Sequence, residues 1–349
     1  MSFNRLEADD FVVSADSISS TLWSNGSPNL SSFSTSSTQE AGSSGDFYLN
    51  IYSGSTFENI QFAIAYGNSE GSGSLVYNSA VDGKSPTSTV YGQYQNLVIG
   101  DENTNFAFGP ITSSEFFALP IERARYKEKI FLGSLGLTIT GSSGIIQLTD
   151  DSAYVSSVQF NEAGRVFQLI SGSRGVRTAA PLTTEGYSLN SGSYGWLLPD
   201  IGTIILNPLA LASNAAGGGC GFVYSGSTSG SVDPIKSPMA SLYQAISGSA
   251  TGVAPNTGSF YLNSEETITS DFIFVRPRSS EFNYSENPSY ISGSTGEVLY
   301  SNFINNPQTY ITTVGLYNDT NELLAVAKLS RPLLKDFTKE ALIRVKLDF

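Results

Sequence analysis

The clearest alternation of apolar and polar positions lies near the end of the chain, over residues 310–329. Apolar side chains recur up to the polar run Asn318-Asp319-Thr320-Asn321 and again after it. Asparagine and aspartate tolerate positive φ and bond their own backbone, so this run predicts a turn between two strands. Residues 341–349 also alternate, with one apolar face formed by Ile343, Val345, Leu347 and Phe349. The pattern predicts a β-hairpin and a terminal strand that completes or borders its sheet.

Shorter apolar runs predict further strands, separated by turns rich in glycine and serine. The predicted strands cover residues 46–52, 60–66, 116–126, 135–140, 145–149, 166–170, 202–207, 260–262 and 267–275. Residues 86–98 instead have helical spacing, with Ser85 as N-cap and Pro86 as first residue. We therefore predict a mainly β fold with two antiparallel β-sandwich-like domains, an extended N-terminal arm and one or two short helices.

The predicted boundaries follow changes in this pattern. Residues 1–45 form the arm, because serine, threonine, asparagine and glycine dominate it and it cannot close a core of its own. Trp23 and Phe33 are isolated large side chains within it, and we expect them to contact a neighbouring subunit. Residues 46–180 form the first β-rich domain, which includes the helix. Residues 181–349 form the second, since 174–193 lacks strong periodicity.

Composition narrows the classes of function. The chain has 349 residues, is 12% aromatic and carries a net charge of −13. An acidic surface disfavours nucleic acid and anionic membranes as partners. Histidine is absent, which removes histidine-based triads and imidazole acid–base chemistry. A single cysteine, Cys220, forms no intrachain disulfide and is interpreted as a small buried or inert residue.

The N-terminus lacks the basic start and apolar core of a signal peptide. No apolar run approaches the roughly 20 residues that span a bilayer. We therefore expect neither secretion by such a signal nor a membrane partner.

Paired carboxylates are the main catalytic candidates in a chain without histidine. Asp150-Asp151 and Glu265-Glu266 are adjacent pairs, and neighbours on a strand point to opposite faces. We interpret them as solvated acids rather than a glycosidase pair. Neither Asp150-Asp151 nor the turn at 318–321 has the spacing of a calcium loop, so no metal or cofactor is predicted. A glycan-cleaving enzyme whose carboxylates converge only in the fold stays open as a hypothesis.

The densest charge cluster covers residues 121–130. On a strand, Arg123, Arg125 and Lys127 would share one face. The cluster is typical of a solvated face, and the alternative is an ion-paired interface with an acidic neighbour. The candidate partner contacts are thus Trp23, Phe33, Arg123, Arg125 and Lys127.

Several short segments carry a family resemblance. The stretch Thr312-Thr-Val-Gly-Leu-Tyr-Asn-Asp319, with Leu323-Leu-Ala-Val-Ala-Lys328, is similar to a segment near the attachment end of contractile-tail fibre proteins of bacteriophages. Residues 123–129 with Gly133-Ser-Leu135, and residues 36–41, resemble structural virion proteins of large contractile-tailed phages. The resemblance implies a particle component, in the tail or baseplate rather than the head. It carries over no catalytic residues.

The resulting hypothesis is a non-enzymatic structural assembly protein of a phage particle. Its expected location is the virion, assembled in the host cytoplasm, and its expected partners are other virion proteins and symmetric copies of itself. One alternative is a receptor- or carbohydrate-binding module of a tail fibre, using exposed Tyr194 and Trp196. Another is a capsid-associated decoration protein.

Overall fold

The computed structural model describes most of the chain and shows a mainly β fold, as predicted. The described residues are 4–35, 48–54, 57–71, 86–109, 111–178, 193–214, 218–224, 236–248 and 258–348. The strands in the first half are β1 (Phe11–Thr21), β2 (Asn29–Leu30), β3 (Tyr48–Tyr52), β4 (Ile60–Asn68), β5 (Phe106–Phe108), β6 (Ile111–Ser113), β7 (Glu115–Pro120), β8 (Lys129–Ile130), β9 (Gly136–Gly141), β10 (Gly144–Asp150), β11 (Gln159–Asn161) and β12 (Gly164–Ser173). Those that follow are β13 (Val176–Arg177), β14 (Gly195–Leu198), β15 (Thr203–Leu206), β16 (Phe260–Tyr261), β17 (Asn263–Val275), β18 (Thr309–Tyr317), β19 (Leu323–Lys335) and β20 (Ile343–Asp348).

The described residues also form four α-helices and two short 3₁₀ turns. The helices are α1 (Thr87–Val98), α2 (Pro208–Ala212), α3 (Lys236–Ser247) and α4 (Asn302–Asn305), and the 3₁₀ turns are Ala8–Asp10 and Arg123–Arg125. The helix predicted near 86–98 is confirmed as α1, and Pro86 precedes its first residue. Its predicted cap, Ser85, lies outside the described residues.

The chain divides into two compact units. The larger unit is Ile18–Glu266, and the smaller unit combines Met1–Ser17 with Thr267–Phe349. This division differs from the predicted boundary at 180/181. The reason is strand pairing: β12 pairs with β14, where Phe167 opposes Leu197, so one sheet continues across the predicted boundary.

The larger unit is built on one extensive antiparallel sheet. Its strands follow the order β2-β16-β9-β10-β12-β14-β15-β7-β4-β3, and β11 and β13 pair with β12. Alternate residues of β7 enter different core clusters, with Phe117 and Leu119 on one face and Phe116 and Ala118 on the other. Because both faces are covered, the central strands read as continuous apolar runs rather than alternating ones.

Helices cover both faces of this sheet. Val90, Tyr91 and Val98 of α1 lie in the cluster that contains Phe116. On the other face, α3 adds buried apolar residues at helical spacing, which are Met239, Leu242, Ala245 and Ile246. The helix α3 was not among the predicted elements and is therefore an addition to the expected architecture.

Part of the predicted N-terminal arm belongs to the core of the larger unit. Leu22, Trp23 and Leu30 are buried, and Leu30 opposes Phe260 in the β2–β16 pair. Residues 14–44 are too polar to form a core alone, but these few apolar residues pack into a core to which distant strands also contribute. The expectation of an arm over the whole of 1–45 is corrected for these residues.

The smaller unit contains the predicted hairpin and the predicted terminal strand. The hairpin predicted at 310–329 is confirmed as β18 and β19, and β19 continues to Lys335. In its turn, Asn318 Oδ1 accepts the backbone N–H groups of Thr320 and Glu322, and Asn321 has φ of +62°. This is the local chemistry expected of asparagine.

The terminal strand is confirmed as β20, although its partner differs from the prediction. It pairs with β17 over six residue pairs from Ser270↔Asp348 to Val275↔Ile343, whereas β18 and β19 form a separate two-stranded sheet. The two sheets share one small core, in which Ile273, Val314, Ile343 and Val345 are buried. Phe349 lies outside the described residues.

Candidate interaction surface

The β18–β19 hairpin has one face toward the core and one away from it. Val314 opposes Ala327, and both pack on the small core cluster. Side chains alternate along a strand, so the intervening pairs Thr313–Lys328, Gly315–Val326 and Tyr317–Leu323 project to the other side. We call this side, together with Leu324 at the register shift, the hairpin outer face.

The hairpin outer face is apolar and exposed at its centre. Leu324 is 68% exposed, Val326 58% and Leu323 52%. A Cβ on Gly315 would lie 3.0 Å from the ring of Tyr317 and 3.4 Å from Leu323. These two side chains therefore extend over the glycine and make the patch continuous. Contiguous exposed apolar patches on soluble proteins mark interaction sites.

Charged residues of opposite sign flank this patch. Asp319 and Glu322 lie at the turn, and Lys328 and Arg331 lie further along β19, all four exposed. Within the described parts of the chain, neither Lys328 nor Arg331 forms an ion pair. Along the hairpin, the apolar patch thus lies between acidic residues at the turn and basic residues further along β19.

A groove of about 1120 Å³ runs beside β18 in the same unit. Residues of β18 and the turn line it, together with residues 4–6 and 282–286. Phe282, Tyr284 and Phe337 add partly exposed aromatic rings. No described strand other than β19 pairs with β18, so the edge of β18 is unpaired in the part of the chain that is described.

A buried lysine holds the wall of this groove. Lys335 is 0% exposed, and its Nζ donates to the Ser279 carbonyl at 3.0 Å, Asn283 Oδ1 at 2.9 Å and the Asp336 carbonyl at 3.0 Å. These three acceptors satisfy the three donors of an ammonium group. Phe282, inside this loop, has φ of +53°, a strained value for a bulky residue. Sequence reasoning missed this site, since an isolated lysine in a strand predicts a solvated side chain.

The predicted contacts Trp23 and Phe33 are occupied within their own unit. Trp23 is 2% exposed, and its Nε1 donates to the carbonyls of Phe260 at 2.9 Å and Pro28 at 3.0 Å. Phe33 is partly buried against the same cluster, with its ring 6.5 Å from that of Phe62. Trp23 therefore offers no side-chain surface to a partner, and the prediction is corrected for this residue.

The basic run does not form the predicted strand face. Residues Arg123–Arg125 form a 3₁₀ turn, where Arg123 Nη1 donates to the Tyr126 carbonyl at 2.6 Å and its guanidinium lies 4.7 Å from the ring centre of Tyr126. Arg125 is partly buried, and its Nε has no hydrogen-bond partner among the described residues. Lys127 pairs with Glu266 of the same chain. Pro120 ends β7 just before this run, which explains the change of structure.

The carboxylate pairs also have partners in their own unit. Asp150 is buried and accepts the backbone N–H of Gly133 at 3.1 Å, and Asp151 accepts that of Gln168 at 3.0 Å. The interpretation of Asp150-Asp151 as solvated acids is therefore wrong, since backbone donors compensate their burial. Glu265 lies 3.7 Å from Lys129. Among the described residues, no group of three or more histidine, cysteine, aspartate or glutamate side chains forms a metal-binding cluster.

One carboxylate that the sequence analysis did not single out has an unusual setting. Tyr66 Oη donates to Glu115 Oε2 at 2.5 Å, and Tyr224 Oη donates to Glu115 Oε1. Burial, followed by the bond to Glu115, raises the pKa of both phenols well above the usual tyrosine range. Both phenols therefore stay protonated at neutral pH and serve as donors that position Glu115.

The remaining candidates from the sequence are largely buried. Cys220 is buried, which raises the pKa of its thiol to about 11. The interpretation of Cys220 as a buried residue is confirmed. Tyr194 is also buried, and Trp196 packs on Phe106 and Phe108, so these two residues do not form the exposed platform expected for glycan binding.

Comparisons with known proteins place this chain in no group: no family model, curated protein or solved structure matches it. None of the described helices has the length and apolar character to cross a membrane. The hairpin outer face and the adjacent groove are therefore the best-supported candidate site, on geometry alone.

Proposed function

We propose that this chain is a non-enzymatic structural assembly protein of a phage particle, located in the tail or baseplate, that acts through protein–protein interfaces. The hairpin outer face is the observation that carries the proposal. Its exposed Leu323, Leu324 and Val326 lie on a strand rather than a loop. Specific interfaces combine such an apolar centre with a polar rim, and charged residues border this patch.

The marginal size of the hairpin sheet supports the same proposal. A sheet of two strands is marginally stable in water unless it packs against something else. The inner face of β18–β19 packs on the small core, whereas its outer face remains open to solvent. A partner on the outer face would bury these side chains and stabilise the hairpin, which is how an assembly protein gains order from its neighbours. The resemblance of 312–319 and 323–328 to tail-fibre segments favours the virion among the assemblies considered.

A carbohydrate-binding role is the second candidate, at a different site from the one first expected. A polar cavity of about 340 Å³ in the larger unit is lined by Asn29, Gln147, Arg174 and Tyr261. Arg174 lies over the Tyr261 ring at 5.2 Å from its centre and has φ of +51°. Ligand sites of small molecules start near 300 Å³ and use a few convergent polar groups. Saturable binding on a glycan array, lost in Tyr261→Ala, would favour this function.

The main proposal is tested in particles of the phage that encodes the chain. Purified particles should contain its peptides by mass spectrometry, and Leu324→Asp should reduce its incorporation strongly, because the aspartate would be buried in an apolar interface. Val176→Asp is the matched control, since Val176 is 66% exposed in the larger unit. Absence of the chain from purified particles would refute the proposal.

A further inference from the structure

We infer that the hairpin outer face binds the same face of a second copy of this chain, with the two hairpins antiparallel across a two-fold axis near Ala325. The inference rests on the proposed function and names its first partner. It follows from the order of charges along the hairpin, from the register of β18 and β19, and from the area of the face.

The charge order is self-complementary. Glu322 precedes the apolar patch, whereas Lys328 and Arg331 follow it on the same strand. A two-fold axis at Ala325 reverses the direction of the second hairpin, so the residue three positions before Ala325 meets the residue three positions after it. Glu322 of each copy then lies opposite Lys328 of the other, and Leu324 lies opposite Val326. Two symmetric sets of opposite charges form, and like charges are kept apart.

The axis lies next to the level of the face that is most suited to close contact. Gly315 opposes Val326 in the hairpin register, so one strand presents no side chain of its own at this level. Tyr317 and Leu323 extend over the glycine. The centre of the interface would thus consist of apolar atoms from both copies, with the ion pairs at its ends, as in interfaces that have a dry core and a polar rim.

The area of the face fits a modest dimer. Residues 322–331 extend about 30 Å at 3.3 Å per residue, over two strands separated by about 4.8 Å. Covering this face on both copies buries on the order of 1,000 Å², which is the lower end for specific interfaces. We therefore expect a dimer that dissociates in the micromolar range, on the order of 10 µM.

Charge complementarity favours a second copy over an unrelated partner of one sign. A strongly basic partner would meet Lys328 and Arg331 unfavourably, and a strongly acidic one would meet Asp319 and Glu322. The chain itself carries −13, which opposes self-association at long range. At about 0.15 M salt the Debye length is near 8 Å, so this repulsion is screened while contacts at ion-pair distance persist.

The test is sedimentation of the full chain between about 1 and 200 µM, a range that brackets the expected dissociation constant. The wild-type chain should change from monomer to dimer across it. Glu322→Lys should weaken the dimer by about tenfold, because the introduced lysine of each copy then faces Lys328 of the other. Lys328→Glu should weaken it similarly. The double variant, with both substitutions, should return most of the lost affinity.

Two further variants keep the result interpretable. Glu340→Lys makes the same change of charge on an exposed residue outside the hairpin and should leave the dimer unchanged. Val326→Lys sets two lysines near the axis and should abolish the dimer. The Glu322 carboxylate also accepts from Asn318 Nδ2 at 2.8 Å within the turn, so a thermal melt checks that each variant folds. Lys328→Glu and the double variant then decide the question.

The outcomes separate this inference from the proposed function. A chain that stays monomeric at about 200 µM, the top of the range set by the expected affinity, overturns the self-association. So does a dimer that Glu322→Lys and Val326→Lys do not weaken. If Leu324→Asp still blocks incorporation into particles in that case, the assembly function stands and the hairpin outer face binds a different virion protein. If the chain is absent from particles but dimerises as described, the proposed function fails and the dimer stands.

Discussion

Replacing Lys335 by methionine tests whether the buried ammonium holds the groove wall. Lys335→Met keeps a flexible stem of similar length and removes the charge and its three donors. The substitution leaves three acceptors without their present partner: the carbonyls of Ser279 and Asp336, and Oδ1 of Asn283. The loop at 279–284 should then loosen, because those contacts attach it to β19.

The magnitude follows from two opposing contributions. Hydrogen bonds to a charged group contribute about 1.5–3 kcal/mol each, so three contribute roughly 4–9 kcal/mol before any offset. Removing the ammonium recovers a desolvation penalty of several kcal/mol. We expect the opening free energy of the smaller unit to fall by about 2–4 kcal/mol, since the remaining acceptors stay buried.

Hydrogen exchange measured by mass spectrometry resolves this effect. Peptides from 279–284 and 309–335 should exchange roughly 30- to 700-fold faster in the variant, if exchange follows opening free energy. Both tryptophans, Trp23 and Trp196, lie in the larger unit, so tryptophan fluorescence should report an unchanged urea midpoint there.

Lys339→Met is the matched control for this substitution. Lys339 lies 3.6 Å from Asp336, and its side chain is 51% exposed. Exposed ion pairs contribute less than about 1 kcal/mol, so this variant should exchange almost as wild type does. Equal protection of 309–335 in Lys335→Met and wild type would refute the role assigned to the buried ammonium.

Three further predictions concern the larger unit. Cys220, whose pKa is about 11, should resist a thiol reagent at about pH 8 in the native chain and react fully in urea. If the native chain were labelled as fast as the unfolded chain, the burial of Cys220 would be contradicted. Gly195→Ala should lower the free energy of unfolding by about 3 kcal/mol or more, because φ is +145° and a Cβ would lie 1.9 Å from the Ile205 carbonyl oxygen. Its counterpart in the same denaturation assay is Gly92→Ala in α1, where a Cβ meets nothing within 4 Å, and this change should stabilise by about 1 kcal/mol. Burial raises the pKa of Tyr94 from 10.0 to about 12, so the unfolded chain loses the phenol proton at a lower pH than the folded chain does. The free energy of unfolding is therefore highest below pH 10 and should fall as the pH rises from 10 to 12. The urea midpoint of Tyr94→Phe should fall less over this range, and a fall equal to that of the wild type would refute the raised pKa of Tyr94.

The sequence predicted the structure best where local chemistry decides it. The turn at 318–321 combines residues that accept backbone N–H groups and tolerate positive φ, so the hairpin and its turn followed directly, whereas the end of β19 at Lys335 did not. The helix α1 had a comparable signal in Pro86 and the spacing of its apolar residues. The helix α3 also had one, since Met239, Leu242, Ala245 and Ile246 recur at helical spacing. The serine-rich setting and Pro238 obscured it, because these residues favour turns.

The contacts between distant residues were not predictable in this way. Trp23 and Phe260, joined by a hydrogen bond, are 237 positions apart, and nothing near Trp23 indicates that partner. The buried state of Lys335 likewise depends on Ser279 and Asn283 in another loop. For the candidate site, alternation predicted which hairpin residues share a face. It did not predict which face the core covers, because that depends on β17 and β20.

The apolar character of the hairpin outer face is best understood from which apolar residues of the smaller unit are buried and which are exposed. Its core cluster has four buried members, Ile273, Val314, Ile343 and Val345. Leu323, Leu324 and Val326 are exposed outside it, whereas Ala325 is half-buried and Ala327 packs against the core. The larger side chains of this half of β19 thus face solvent and the alanines are the more buried ones, the reverse of the usual order for a strand of an isolated domain. Such an inversion costs stability in a monomer, since apolar area that would be buried stays in water. A second surface on the outer face would remove this cost, so the side-chain order of β19 supports the proposal that a partner covers the outer face.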